Sequence, residues 1–271
     1  MKIIRSIIIL FVLIINTSFA QSYEELIEST KLNFPTYQSY KCLGFEKIDI
    51  PVFCIHADDS YVNMGTKATE YEIDLLETFL RVFPRKMRER VVEIEFEYKD
   101  EEEGAAAAMG IDTDNNFWTI WINTNREASG DKTEIIKSIA HELMHYLTLN
   151  ITQTTIYTDD CLGMEKILTN CPKKHTLFYN YIKLFWLSIN DKKIWPKGDF
   201  NGYYDEHPND FVTFYAVTDP AEDIAETFIE FIFTDKPTDL SLIKNQKINF
   251  FWNFEEYINL RTEIRDNLKI K

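Results

Sequence analysis

The sequence DKTEIIKSIAHELMHYLTLN, residues 131–150, is the segment from which the organisation of this chain can be worked out. Its apolar residues recur at the spacing of one face of a helix. Asp131 followed by Glu134 resembles an acidic capping box at the helix start. The pattern predicts a buried amphipathic helix whose apolar residues are Ile135, Ile136, Ile139, Leu143, Met144 and Leu147.

Three polar residues on this predicted helix have the spacing of a metal site: His141, Glu142 and His145. The two imidazoles project from one face, about 6 Å apart along the axis. Neutral imidazole is a good ligand for Zn²⁺, which lowers the pKa of a bound water toward roughly 7. Glu142 is placed to accept the proton of that water. The motif indicates peptide-bond hydrolysis, although a solvated polar helix face is the simpler alternative.

The first twenty residues have the features of an export signal. Lys2 and Arg5 supply the positive start, Ile7–Ile15 forms an unbroken apolar run, and Ser18–Ala20 fits a small-x-small cleavage site. An uncleaved anchor is the alternative, but a bilayer span takes about 20 apolar residues. We therefore expect cleavage near Gln21 and an exported chain, either periplasmic or secreted.

The charge balance limits the classes of partner. The chain has 44 acidic and 29 basic residues, a formal net charge of −15. Such a chain repels phosphate backbones and anionic lipid, so we expect no nucleic-acid partner and no membrane association after cleavage. A peptide or protein substrate remains compatible with this charge, and we expect a monomer.

The four cysteines are Cys42, Cys54, Cys161 and Cys171. An even number in an exported chain favours disulfides. Their spacing suggests pairing of Cys42 with Cys54 and of Cys161 with Cys171, although three connectivities are possible. A cysteine zinc site is the alternative, but no C-x-x-C spacing supports it.

Other elements are predicted from periodicity. Helices are expected near Tyr23–Leu32, over Lys67–Phe83 before Pro84, and over His175–Leu187. Apolar residues alternate with Glu93, Glu95 and Glu97 between Val92 and Tyr98, which predicts a half-buried strand. The segment WTIWIN, residues 118–123, predicts a second strand. Because it leads into the histidine helix, it suits a site where a peptide adds to a sheet edge.

Tetrahedral zinc needs a third protein ligand besides the two histidines. The extended pattern H-E-x-x-H-x-x-G-x-x-H is excluded, because Thr148 and Ile151 stand where Gly and His are required. His56, His175 and His207 are candidates by residue type, but each stands alone in loop-like sequence.

Glu222 and Glu226 are better candidates for the metal site. Asp219 can cap a helix with Pro220 at its first position, which places the two glutamates one turn apart. Like charges at this spacing weaken a helix, so a nearby cation gives the pair a role. We assign Glu222 to the zinc and Glu226 to holding an imidazole N–H. An ordinary acidic helix start, which the helix dipole favours, is the alternative.

The helix with HELMH followed by a helix with E-x-x-x-E resembles the gluzincin metallopeptidases. Tyr215, seven residues before Glu222, and the segment PAEDIAETF resemble the branch that contains the lethal-factor catalytic domain, the Pro-Pro endopeptidases and a group of exported bacterial zinc peptidases. The segments LRVFPRKMRERVVEIEFEY and WTIWIN match that branch in order. The resemblance extends from Lys67 to the C-terminus. The interval of 76 residues between His145 and Glu222 looks longer than in compact members, so details of the substrate pocket are not transferred.

The resemblance implies a role for each residue of the motif. His141, His145 and Glu222 would ligate one Zn²⁺, Glu142 would be the general base, and Tyr215 would stabilise the oxyanion. It implies an exported zinc-dependent endopeptidase. A catalytically silent zinc-binding or protein-binding module on the same fold is the alternative, and an exopeptidase is a further one.

The expected fold is α+β and zincin-like, with a small, mostly antiparallel sheet packed on the histidine helix and a mainly helical C-terminal part that carries Glu222. The expected organisation is a signal peptide at 1–20, an N-terminal segment with a disulfide at 21–60, and a catalytic domain at 61–271.

Overall fold

The computed structural model describes residues 23–32, 49–100, 107–111, 117–125, 131–155, 171–187 and 200–270. The predicted signal peptide, Cys42 and Cys161 lie outside these residues. Among the helices within these ranges, none has the length and apolar character needed to cross a membrane.

The described residues form eight α-helices and seven β-strands. The helices are α1 (23–29), α2 (Glu70–Val82), α3 (Lys132–Leu149), α4 (Leu177–Phe185), α5 (Phe200–Glu206), α6 (Pro220–Phe233), α7 (Ile243–Phe251) and α8 (Glu255–Leu268). The strands are β1 (Val52–Ile55), β2 (Tyr61–Asn63), β3 (Val91–Glu97), β4 (Ala107–Ile111), β5 (Trp118–Asn123), β6 (Thr154–Thr155) and β7 (Cys171–Pro172).

The first five strands form one mixed sheet in the order β2-β1-β3-β5-β4. The pairs β1–β2, β1–β3 and β4–β5 are antiparallel, and the pair β3–β5 is parallel. Strands β6 and β7 form a separate antiparallel pair. The predicted α+β class is therefore confirmed.

The helix starts follow local sequence signals. Thr69 and Glu72 form a complete capping box at α2, in which each side chain accepts from the other residue's backbone N–H.

At α3, the Asp131 side chain accepts from the backbone N–H groups of Thr133 and Glu134. The Glu134 carboxylate does not accept from the backbone N–H of Asp131, because it pairs with Lys137 at 2.8 Å. Only half of the expected capping box at α3 is therefore present.

The hydrophobic core lies between the sheet and the helices. α3 packs against β4 and β5 on one side and against α6 on the other. The apolar residues predicted for α3 are buried, and those of the sheet face the same core. Strands β1 and β2 lie on either side of residue 60, the expected boundary between segments, and they are neighbours in one sheet.

The prediction that β3 is half-buried is wrong. Glu93 and Glu95 are 0% and 3% exposed, whereas Tyr98 lies beyond the strand and is 74% exposed. Trp121 on β5 donates from Nε1 to Glu95 Oε2 at 2.6 Å. The alternation is present but both faces of the strand are covered, so Glu95 is held inside by this hydrogen bond rather than by water.

The strand predicted to offer a sheet edge is also an interior one. β5 lies between β3 and β4, so β4 is the edge strand next to α3. Parallel pairing of β3 with β5 leaves the other side of β5 for the antiparallel strand β4.

The described cysteines lie in separate sheets, Cys54 in β1 and Cys171 in β7. Both are 1% exposed, and neither is a free thiol. Because Cys42 and Cys161 lie outside the described residues, the expected pairing stays a prediction.

Candidate metal centre

Helix α3 presents its two histidines on one face. The ring centroids of His141 and His145 lie 4.6 Å apart, with the ring planes at 85°. The side chains are 8% and 13% exposed, because the helix is packed on both the sheet and α6. Both imidazoles are therefore largely shielded from solvent while sharing one small space.

Helix α6 brings a carboxylate to the same space. Asp219 caps the helix by accepting from the backbone N–H groups of Ala221 and Glu222, and Pro220 occupies its first turn, as predicted. Glu222 Oε2 lies 2.8 Å from Nε2 of His141 and 3.3 Å from Nε2 of His145.

These three residues form a group that fits a zinc ion. One ligand atom from each of His141, His145 and Glu222 lies within 4.8 Å of the other two. Ligands about 2.1 Å from a tetrahedral zinc are about 3.4 Å apart. The 3.3 Å from Glu222 Oε2 to Nε2 of His145 is close to this value, whereas the 2.8 Å to Nε2 of His141 is a hydrogen-bond distance. Two imidazoles and one glutamate are also a donor set found in catalytic zinc sites.

Glu226 holds the other nitrogen of the first histidine. Its Oε1 lies 2.8 Å from Nδ1 of His141, one helical turn along α6 from Glu222. A carboxylate accepting from Nδ1–H leaves Nε2 as the nitrogen that can bind a metal. The structure thus places Glu226 where the sequence predicted it to act.

The charges of the group reinforce each other. Burial alone would lower the pKa of His141, but hydrogen bonds to Glu222 and Glu226 raise it to about 10. Burial would raise the pKa of Glu222, but hydrogen bonds from His141 and His145 lower it to about 2. The site therefore favours the anionic form of Glu222 and the cationic form of His141.

A cavity of about 650 Å³ opens beside His141, the one member of this group that lines it. Glu142 and Tyr215 line it together with His141. Tyr215 begins the short 3₁₀ helix Tyr215–Val217 before α6, is 50% exposed, and has its ring centroid 5.8 Å from that of His141. Burial raises the pKa of the Tyr215 phenol, and the charges of Glu222 and Glu142 add to the rise, so the phenol remains a hydrogen-bond donor.

The three isolated histidines do not join the group. His56 and His175 are exposed, and His207 stacks on Tyr203 with a centroid distance of 4.4 Å while its Nδ1 lies 3.6 Å from an oxygen of Asp210. Each of the three has a position explained by its local contacts or by solvent.

Thr213 is a member of the site that the sequence did not reveal. Its hydroxyl donates to Glu226 Oε2 at 2.8 Å and accepts from the backbone N–H of Ala216 at 3.1 Å. A threonine two residues before a 3₁₀ helix is a weak local signal, and no spacing rule links it to a glutamate on the next helix.

A buried ion pair lies on another face of α6, about 100° around the helix from Glu222. Asp223 and Lys247 of α7 are both 0% exposed, with Oδ2 and Nζ 2.7 Å apart. Trp186 donates from Nε1 to the same oxygen at 2.7 Å, and the ammonium lies 3.8 Å from the ring centroid of Phe211. This cluster holds α6, the helix that carries Glu222, against α7.

Comparisons with family models, with curated proteins and with solved structures found no match for this chain.

Proposed function

We propose that this chain is an exported zinc-dependent endopeptidase of the gluzincin type, built on a zincin-like fold. The observation that supports it best is the convergence of His141 Nε2, His145 Nε2 and Glu222 Oε2 from two separate helices. A solvated polar face on α3 does not account for three ligand atoms that lie together and are largely buried.

The metal, when bound to these three residues, would polarise the substrate carbonyl and make a water nucleophilic at neutral pH. Glu142 lines the cavity beside the first histidine, where a carboxylate can take the proton of the attacking water and pass it to the leaving amine. Tyr215 faces the same cavity with a protonated phenol, which can donate to the carbonyl oxygen as negative charge develops there.

The cavity is where we expect a peptide to bind, because His141, Glu142 and Tyr215 line it. Its volume of about 650 Å³ lies within the usual range for ligand sites. Ala107 of the edge strand β4 lines it. A sheet edge can bind an extended peptide through backbone hydrogen bonds, and here that edge adjoins the cavity.

The test is zinc content and cleavage of a peptide library by the chain lacking residues 1–20. We expect one zinc per chain and cleavage at internal bonds, detected by mass spectrometry. Glu142→Gln should retain zinc and lose cleavage, whereas Glu263→Gln, which alters an exposed carboxylate on α8, should retain both.

The other outcomes separate the alternatives. Cleavage by the Glu142→Gln variant would exclude that residue as the base. Products released only from chain ends would identify an exopeptidase. A wild-type chain that holds zinc but cuts no peptide would favour the silent binding module.

A further inference from the structure

The hydroxyl of Thr213 makes two hydrogen bonds of opposite direction. The backbone N–H of Ala216 can only donate, so Oγ1 accepts from it at 3.1 Å. A hydroxyl carries one hydrogen, and here that hydrogen is left for Glu226 Oε2 at 2.8 Å. The Thr213 hydroxyl therefore links the backbone N–H of Ala216 to the carboxylate of Glu226 through two hydrogen bonds.

The carboxylate of Glu226 is held at both oxygens. Oε1 accepts from Nδ1 of His141 and Oε2 accepts from Thr213. Two bonds in different directions fix the plane of the carboxylate, and that plane sets the direction in which the imidazole N–H must point. Thr213 thereby acts on the orientation of Nε2, the nitrogen that faces Glu222.

The second hydrogen bond of Thr213 is to the turn that carries Tyr215. Ala216 directly follows Tyr215, so the Thr213 bond fixes the peptide next to the phenol-bearing residue. Thr218 adds bonds from its backbone N–H and its hydroxyl to the carbonyl of Tyr215, at 3.1 Å and 2.8 Å. These Thr218 bonds stabilise the same turn but have no connection to Glu226.

We infer that Thr213 is a positioning residue that couples the orientation of His141 to the position of the Tyr215 turn. The inference rests on the proposed zinc peptidase function. Through this coupling, one hydroxyl orients a proposed metal ligand and also positions the proposed oxyanion donor. Its loss should affect zinc affinity and turnover together.

The test compares Thr213→Val, which keeps the shape and removes the hydroxyl, with Thr213→Ser, which keeps the hydroxyl. We expect Thr213→Val to weaken zinc binding by about tenfold, as for other groups that orient a ligand, and Thr213→Ser to restore it. Competition with a chromophoric chelator measures the affinity. Thr213→Ala, which removes the hydroxyl and the methyl group, should show the same loss as Thr213→Val.

The matched control is Thr218→Val on the same turn. It removes a turn hydrogen bond without touching Glu226, so zinc affinity should stay at the wild-type value. In a Glu226→Ala background, Thr213→Val should cause no further loss of zinc affinity, because its effect passes through that carboxylate.

The second readout is turnover at saturating zinc. Thr213→Val should lower kcat with KM unchanged, because the Tyr215 hydrogen bond strengthens in the transition state. If the wild type binds zinc and Thr213→Val binds it with the same affinity, the inference is overturned and the proposed function still stands. Unchanged kcat would refute the coupling to Tyr215. A wild-type chain that binds no zinc would overturn both.

Discussion

Glu222 Oε2 lies 2.8 Å from Nε2 of His141, although the two residues are 81 positions apart in the chain. The contact exists because α3 and α6 pack together with their polar faces turned toward each other. A partly buried carboxylate has few ways to remain charged, and a cation shared with two imidazoles is one of them.

Glu222→Gln should weaken zinc binding by more than about 100-fold, because it replaces a charged ligand with a neutral amide that binds zinc poorly. The measurement is zinc affinity by competition with a chromophoric chelator. The matched control is Glu230→Gln, about two turns along the same helix and outside the group of three ligand atoms. Equal zinc affinity in the two variants would remove Glu222 from the ligand set.

Tyr215→Phe should lower kcat by about 100-fold, since one preorganised donor to an oxyanion contributes about 3 kcal/mol. Zinc content should not change, because the phenol is outside the group of three ligand atoms. Tyr204→Phe is the control, a phenol on α5 that does not line the cavity. A Tyr215→Phe variant with wild-type kcat would show that the oxyanion is stabilised by other groups.

Both site helices were predictable because their start signals are local. Asp131 and Asp219 cap α3 and α6 as the sequence indicates, and the apolar spacing that follows sets which face is buried. Residues four apart lie on the same face of a helix, so the two histidines lie together on α3 and the two glutamates lie together on α6. The positions of His141 and Glu222 on their helices therefore follow from short stretches of sequence.

The features that were missed depend on contacts between distant segments. Alternation in β3 gave the strand but not the burial of Glu93 and Glu95, because burial depends on what covers the second face of the sheet. The strand order likewise could not be read from WTIWIN, since an interior and an edge strand share the same alternation. Thr213 was missed because its partner, Glu226, lies on a separate helix.

Lys247 is a residue whose burial cannot be read from its local sequence. It stands in the polar sequence IKNQKINFF, where a lysine normally faces water, yet it is 0% exposed. Its position is decided by Asp223 on α6 and by the aromatic rings around the ammonium, which are distant in sequence.

Lys247→Met should lower the free energy of unfolding by about 3–5 kcal/mol, because it leaves the buried carboxylate of Asp223 without its cation. Urea unfolding of the metal-free protein measures the change. Lys244→Met is the control on the same helix, since its side chain is only partly buried and its ammonium donates to the carbonyl of Pro208 at 3.1 Å.

The double variant Asp223→Asn with Lys247→Met separates pairing from packing. Asparagine can still accept from Trp186 and carries no charge, so the double variant should be less destabilised than the sum of the two single changes. Additive losses would show that the ion pair contributes nothing beyond the packing of its side chains.

Asp59→Asn should remove part of the dependence of stability on acidic pH. Hydrogen bonds from Arg88, at 2.8 Å and 3.0 Å, lower the pKa of Asp59 below the value of 3.8 that an unperturbed aspartate has. A carboxyl group with a lowered pKa in the folded state contributes stability above its unfolded pKa. That stability is lost as the pH falls through the folded pKa.

The measurement is urea unfolding of both proteins at about pH 6, above this window, and at about pH 3, below the unfolded pKa. The wild type should be more stable than Asp59→Asn by about 1 kcal/mol at the higher pH, a modest value because the carboxylate is 39% exposed. The difference should shrink at the lower pH. Asparagine tolerates the backbone φ of 65° at this position, so the substitution changes charge without adding strain.

Asp266→Asn, which alters an exposed carboxylate on α8, is the control and should follow the wild type at both pH values. A difference between wild type and Asp59→Asn that stays constant from about pH 6 to about pH 3 would mean that Asp59 contributes through its shape and not through its charge. Arg88, 5% exposed, would then depend on the carbonyls of Phe83 and Leu80 for its remaining hydrogen bonds. That arrangement would be independent of pH, because carbonyl oxygens do not titrate.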